Sequence, residues 1–459
     1  MRKITIIIIF ILFPAFHFVQ AKESDSFSFF VAGHAYGAHA GGNTGLHPPF
    51  LKRLSENADS TIFALFLTGD IVNYSSEESW EQVATELENL GINTYYVMGN
   101  HDNDALGNLV FNEKHGGTYY SFSHQNQMFI VLNSTLEDRT ISQNQLEFLE
   151  LCLNNADQNI RRVFIFFHEV LWNSHDKYKN VLSNSRSRYN QIKPRSNYWK
   201  EVHPLFIAFQ KDVFIFAGDV AGNTDAIPAF YDKWDNVTLI ASGMGEVEEE
   251  NYLKVCIIDD SVSLELIPLR ENVEMKPLEF YAIPLAPDTI YGPKIVTPGN
   301  QTIEYSIPEI FNANTTQWTL SDGITGWSTS QTISVDFSDS FRSGEIGVQA
   351  EHTGFGLSEL KTIQISFDQQ NRVSQIEENS KFKWKILDER ITVDFSASLT
   401  EQVQLELFDN AGKCFYREIV VVSGIQFPVS IGIQSLPKGT YFLVATDCQF
   451  TEVQRILIP

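Results

Sequence analysis

Between about Phe27 and Leu269 the chain alternates short, almost wholly apolar runs with longer segments whose apolar residues recur every third or fourth position. The runs "TIFALFLTG" (61–69), "INTYYVMG" (92–99), "RRVFIFF" (161–167) and "KDVFIFAG" (211–218) read as strands. "SEESWEQVATELENLG" (76–91), with acids at its start and a glycine at its close, reads as a helix, as does "SQNQLEFLELCLNNA" (142–156). Strands apolar at nearly every position belong in sheets covered on both faces. The pattern therefore predicts an α/β domain over 22–270, a β-sandwich flanked by helices. Beyond Leu269 the texture changes to Thr, Ser, Val and Ile alternating with polar residues, with turn signals every ten residues or so. That predicts two all-β domains, one of immunoglobulin-like size over 285–370 and another over 380–459.

The first residues change the picture of where the chain goes. "MRKITIIIIFILFPAFHFVQA" has a basic start, an apolar centre and a small residue at Ala21, the pattern of an export signal over 1–21. The alternative, a membrane anchor, conflicts with Pro14, which ends the apolar run well short of the roughly 20 residues needed to cross a bilayer. No later apolar run has spanning length, so no transmembrane segment is expected after signal removal. Export permits disulfides, and Cys414 with Cys448 in the terminal domain are a candidate pair, whereas Cys152 and Cys256 sit in apolar patterns as buried thiols. The net charge of −24 repels nucleic-acid phosphates and argues against a dedicated nucleic-acid partner. One local exception is 177–200, with seven Lys or Arg and no acid.

In α/β proteins functional groups gather just past the carboxyl ends of strands. Four strands here end in metal-type residues: "FLTGDIVN" offers Asp70, "VMGNHDND" offers Asn100 and His101, "FIFFHEVLW" offers His168 and "FIFAGDVAGN" offers Asp219. Glycine precedes three of these, letting the backbone turn sharply and approach a ligand. Each fragment is common alone; their order along one rim is not.

This set resembles the calcineurin-like metallophosphoesterases, most specifically through "GDIVN" and "GNHDND". The resemblance implies two divalent metals that activate a water and orient a phosphoester for in-line attack. It implies Asp70 as the bridging ligand, Asn100, His168 and Asp219 as ligands of the second metal, and His101 at the leaving oxygen with Asp102 behind it orienting the imidazole. The family's first motif, Asp-x-His-Gly, is in register with "HAYG", so that His34 replaces the Asp and Tyr36 the His. Its last motif, Gly-His-x-His, is in register with "GDVA", where Asp219 replaces one His and Ala221 the other. The first metal thus keeps Asp70 and His34, with Tyr36 a reluctant ligand, and His39, His47 or Asn223 as further candidates. One tight metal and one weak or absent metal are expected; Mn, Fe, Zn and Mg are not distinguished. Arg186, Arg188 and Arg195 of the basic stretch, lying between two site strands, are candidates to clamp a substrate phosphate.

Residues 292–368 resemble PKD-like domains through "QWTLSDG" and "TISVDF", with Trp318 expected in the core of its strand. The end of the chain, through "VQLELFDNAGKCFYREI" and "SLPKGTYFLVATD", resembles the sorting domain of the type IX secretion system, which implies the secretion machinery as a partner and a final location at the cell surface or outside it. The expected function is an exported metal-dependent phosphoesterase acting on a phosphomonoester or phosphodiester. The competing expectation is a degenerate phosphoesterase fold that binds a phosphorylated or glycan ligand without turnover.

Overall fold

The structure, a computed structural model, describes residues 26–103, 109–184, 190, 193–296, 302–367, 382–387, 389–395, 402–421, 429–446 and 451–458. The expected export signal at 1–21, Arg186, Arg188 and Cys448 lie outside the described residues, and with Cys448 goes any test of its pairing to Cys414.

Two sheets face each other. One has five strands in the order β11-β10-β1-β2-β3: β1 (Ser26–Ala32), β2 (Ile62–Thr68) and β3 (Thr94–Val97) are parallel, and the antiparallel β10 (Asn251–Ile258) and β11 (Ser261–Pro268) extend it. The other has six in the order β4-β5-β6-β7-β9-β8. Here β5 (Gln127–Val131), β6 (Arg162–Phe166), β7 (Asp212–Ala217) and β9 (Val237–Ser242) run parallel, and the antiparallel β4 (Tyr120–His124) and β8 (Ala229–Trp234) close the edges. Parallel strands all present their carboxyl ends on one side, so the loops after β1, β2, β3, β6 and β7 converge.

The faces that meet are aromatic. Phe29 and Phe66 of the first sheet pack on Phe129, Phe164, Phe166 and Phe216 of the second, with Phe66 stacked on Phe166 at 4.0 Å between centroids. Such ring pairs contribute about 0.5–1.5 kcal/mol each beyond area burial. Helices cover the outer faces. Phe50 and Leu54 of α1 (Pro48–Asn57) and Trp80, Val83 and Leu87 of α2 (Glu77–Leu90) bury Phe30, Leu65 and Leu67. Ser76 caps α2 by accepting the Ser79 N–H, and Gly91 in the left-handed region ends it, as the sequence pattern requires.

The PKD-like segment has a sheet of Ile303–Ser306, Thr332–Phe337 and Ile324–Gly326 and another containing Thr315–Leu320, Ser343–His352 and Lys361–Phe367. Its core includes Val335, Ile346, Val348 and Ile365, but not Trp318. Trp318 is half-buried because Thr315–Leu320 is an edge strand, and its indole N–H donates to the Ser330 carbonyl. The described residues from Ser26 to Lys294 and from Thr302 to Ser366 form one compact unit. The second unit carries a three-stranded and a four-stranded antiparallel sheet around Val403, Leu405, Leu407, Leu443 and Ile456. The architecture is α/β followed by all-β sheets, as the sequence predicts.

Facing sheets ordinarily stand about 10 Å apart, yet here their backbones touch at the convergent end. A Cβ on Gly33, after β1, would lie 2.2 Å from the Gly218 Cα and 2.5 Å from the Ser242 carbonyl oxygen. Gly33→Ala is expected to cost about 3 kcal/mol or more, because backbone cannot yield as a side chain can. Gly42→Ala, with nothing within 4 Å of the added carbon but a φ of +62°, should cost only about 1 kcal/mol. Urea midpoints of the two variants check the difference.

Candidate metal centre

Asp70 and Asp219 each lie two residues past a strand end, and His168 two past β6. Their ligand atoms all fall within 4.8 Å of one another, and the three residues are buried. His168 Nε2 is 3.3 Å from Asp70 Oδ1 and 3.9 Å from Asp219 Oδ1. The other ring nitrogen, Nδ1, donates to the Thr68 carbonyl at 2.9 Å, bridging the two sheets. That bond fixes the tautomer and turns the Nε2 lone pair inward, where it makes no hydrogen bond. Two buried carboxylates beside an imidazole nitrogen without a hydrogen-bond partner suit a divalent cation of the borderline kind.

Without a cation the cluster balances its own charge. Burial works against ionising Asp70, but the His168 ring beside it holds the carboxyl well below the usual range. Burial likewise opposes charge on His168, yet Asp70, with Asp219 adding, pushes it up to about 10.

The side toward the altered first motif is filled. His34, at φ +56°, donates from Nδ1 to the Gly37 carbonyl at 3.1 Å, which leaves Nε2 as an acceptor. The Tyr36 hydroxyl meets that Nε2 at 3.1 Å, and Asp70 Oδ2 lies 3.6 Å away. Gly222 presses on the same atom, since a Cβ there would come within 2.5 Å of it. Burial pushes the Tyr36 phenol far above its ordinary range, so it stays neutral and donates its proton. Ala221, at φ +64°, offers no ligand. Tyr36 thus holds the His34 lone pair that a first metal would need. Of the further candidates, His47 is turned to the buried Glu250 at 3.3 Å, and Asn223 is exposed. His39 is exposed and bonded through Nδ1 to Asn73 and through Nε2 to the Tyr74 hydroxyl.

His101 stands at the mouth, half-buried, with its backbone N–H on Asp70 Oδ1 at 3.0 Å. Asn100, beside it, is exposed at the lip. The expected support of His101 by Asp102 is corrected here. The His101 Nδ1 donates instead to the Asn73 carbonyl at 2.9 Å, leaving Nε2 directed toward the Tyr36 hydroxyl at 3.5 Å. Asp102 is fully buried and accepts the N–H groups of Ile71 and Val72 at 2.8 and 3.1 Å and of Gly99 at 2.8 Å. Burial, with the Asp70 carboxylate adding, pushes it up to about 6 against those three donors. It ties the loop after β2 to the loop after β3, and places His101 by placing the backbone. Arg195 is half-exposed, and its guanidinium pairs with Asp138 rather than clamping toward the cluster.

Two contributors escape sequence reading. Asn184, 6% exposed, donates from its side-chain amide to Asp219 Oδ1 at 2.6 Å and accepts the Gly222 N–H at 2.5 Å. It lies inside the basic stretch, where an asparagine among serines carries no signal of its own. Asn73 ends the quoted "GDIVN", and its carbonyl, not its side chain, sets the His101 ring.

Residues 38–206 match the model of the calcineurin-like phosphoesterases, and residues 283–365 that of a PKD-like domain. A 3',5'-cyclic-nucleotide phosphodiesterase of Nostoc sp. is 29% identical over 152 residues, 31% of this chain, and the chain spans 57% of that relative's length. A purple acid phosphatase from yellow lupin seeds is 17% identical, with a TM-score of 0.40 over 55% of this chain and 53% of that one. Over residues 38–206 the chain is therefore similar to calcineurin-like phosphoesterases, and over residues 283–365 to PKD-like domains.

Proposed function

We propose that the chain is an exported phosphoesterase that hydrolyses a phosphomonoester or phosphodiester with one tightly held divalent cation. The carrying observation is the buried set of Asp70, His168 and Asp219, with His168 Nε2 turned inward and making no hydrogen bond. A cation bound there supplies a Lewis acid for the phosphoryl oxygens and lowers the pKa of a bound water. The chain's own groups do the rest. Asp70 and Asp219 set the charge of the site, Asn184 keeps Asp219 aimed, and Asn100, exposed beside His101, is the further candidate ligand. His101, its Nδ1 proton committed to Asn73, has only Nε2 left to carry a proton to a leaving oxygen. The Nostoc relative's named activity makes a cyclic nucleotide one of the substrates to test. Removal of the first residues at Ala21 and sorting through residues 380–459 complete the proposal, with the cell surface or medium as destination.

A second reading has an observation of its own. Tyr36 holds His34 and Ala221 is mute, so the other half of the expected metal pair is missing, and a site that binds a phosphorylated ligand without turnover would look the same. Turnover of an aryl phosphate, an aryl phosphodiester and a 3',5'-cyclic nucleotide, with Mn, Fe, Zn and Mg added singly, separates the two. Metal-stimulated hydrolysis of none of them would leave the binding reading.

His168→Ala should abolish the tight cation, and Asn184→Ala should weaken it about 10- to 100-fold, as losses of a ligand and of a group orienting one do. Metal analysis after gel filtration and titration with Mn measure both; unchanged content in His168→Ala would sink the assignment.

The unaltered chain should hold one cation tightly. Combining His34→Asp, Tyr36→His, Asp219→His and Ala221→His should raise the stoichiometry to two. Two tight cations in the unaltered chain would show that the Tyr36 bond to His34 yields to metal.

Deleting residues 380–459 should leave kcat/KM unchanged and trap the protein in the periplasm. Appearance of the truncated chain at the cell surface at the normal level would refute the sorting role.

A further inference from the structure

The wall of the metal centre continues into the PKD-like domain. The Ala221 N–H, beside the site, donates to the Ile227 carbonyl at 3.0 Å. The Ile227 N–H donates to Leu182 at 2.7 Å, and the Leu182 N–H donates to Gly354 of the second domain at 3.0 Å. Backbone bonds therefore run without a gap from the 352–356 loop to the loop that follows Asp219. Two residues past Leu182 stands Asn184, whose N–H donates to the Asp219 carbonyl at 3.2 Å and whose side chain holds Asp219 Oδ1.

The loop is seated as an interior element. Phe355 is 2% exposed and belongs to the first domain's hydrophobic core, its ring 6.3 Å from Phe230 and 6.5 Å from Tyr281. Glycines flank it because nothing larger fits. A Cβ on Gly354 would come 2.8 Å from Ile227 Cγ2, and one on Gly356, at φ +86°, 2.5 Å from the Asn180 Cβ. The buried Asn312 side chain anchors the same domain a second time, donating to the carbonyls of Phe280 and Ala282 at 3.2 and 2.7 Å.

We propose that the His352–Gly356 loop of the PKD-like domain is a positioning element of the metal centre: through Leu182 it sets Asn184, and through Asn184 it aims Asp219. The inference rests on the metal reading above, and it gives the PKD-like domain a part in the site rather than in spacing alone. A spacer needs no buried aromatic in its neighbour's core and no backbone bond to a segment that leads, two residues on, to Asn184 at the site.

The test compares Phe355→Ala with Val335→Ala, which hollows the PKD-like sandwich at a fully buried position outside the loop. Two readouts are taken: deuterium exchange of the amides of 182–184 and 219–222 in metal-free protein, and the Kd for Mn. Phe355→Ala should speed exchange at both segments and weaken Mn binding about tenfold or more, in the range for groups that orient a ligand. Phe355→Leu, which keeps the apolar contact, should restore most of both. Val335→Ala should lower Tm and move neither. If Phe355→Ala does not fold, Gly354→Ala, whose new carbon presses on Ile227, should show the same two changes. Exchange and Kd unaltered by the loop variants, or altered equally by Val335→Ala, would overturn the inference while the metal reading stands. An unaltered chain that binds no Mn would overturn both.

Discussion

The contact between the backbones of Gly33 and Gly218 governs this molecule. Asp70 comes from one sheet and His168 and Asp219 from the other, so the sheets must close on each other at the strand ends before a single ion could touch all three. Side chains would hold the layers apart. Glycine at 33 and 218 removes that wedge: a Cβ on Gly218 would sit 2.1 Å from the Thr68 carbonyl oxygen, the oxygen that receives His168 Nδ1–H. The same pinch that permits the approach also provides the bond that locks the ring. Gly99 makes a third such approach, to the Asp70 backbone, and brings His101 into the mouth.

This geometry is held at a cost. His34, Asp70 and Ala221 all have positive φ, a region that strains residues with a Cβ. Strain of that kind persists only where surrounding bonds over-determine the conformation. At Asp70 they do: the His34 and Tyr36 N–H groups bond the carbonyls of Gly69 and Asp70, and the next two amides are taken by Asp102. Asp102 is therefore the keystone of the strained turn, which accounts for a buried carboxylate that forms no ion pair among the described residues.

What the sequence discloses follows from how local the information is. Strand ends, their glycines and the residues after them lie within a few positions, so Asp70, His101, His168 and Asp219 can be read directly. The grip of Tyr36 on His34 is also short-range, but its direction depends on a hydroxyl that could as well have faced a metal. Asn184 and Asp219 are joined only when two distant segments fold together, and nothing in "VLSNS" announces it. Trp318 misleads for a different reason: alternation says which face a residue takes, not whether its strand lies at an edge.

Phe355 in the core of the first domain also has a consequence for time. The strand β1 is central in its sheet and pairs with β10, the next-to-last strand of the same sheet, so β1 has no full set of neighbours until nearly the whole domain has followed. The core then still lacks an aromatic ring that arrives later, from the next domain. A chain synthesised or threaded through a pore from its amino end would hold an open, apolar-rich intermediate for most of its passage. Its nascent form should depend on holding factors that delay collapse, and its commitment to the native state should come as a late, single event.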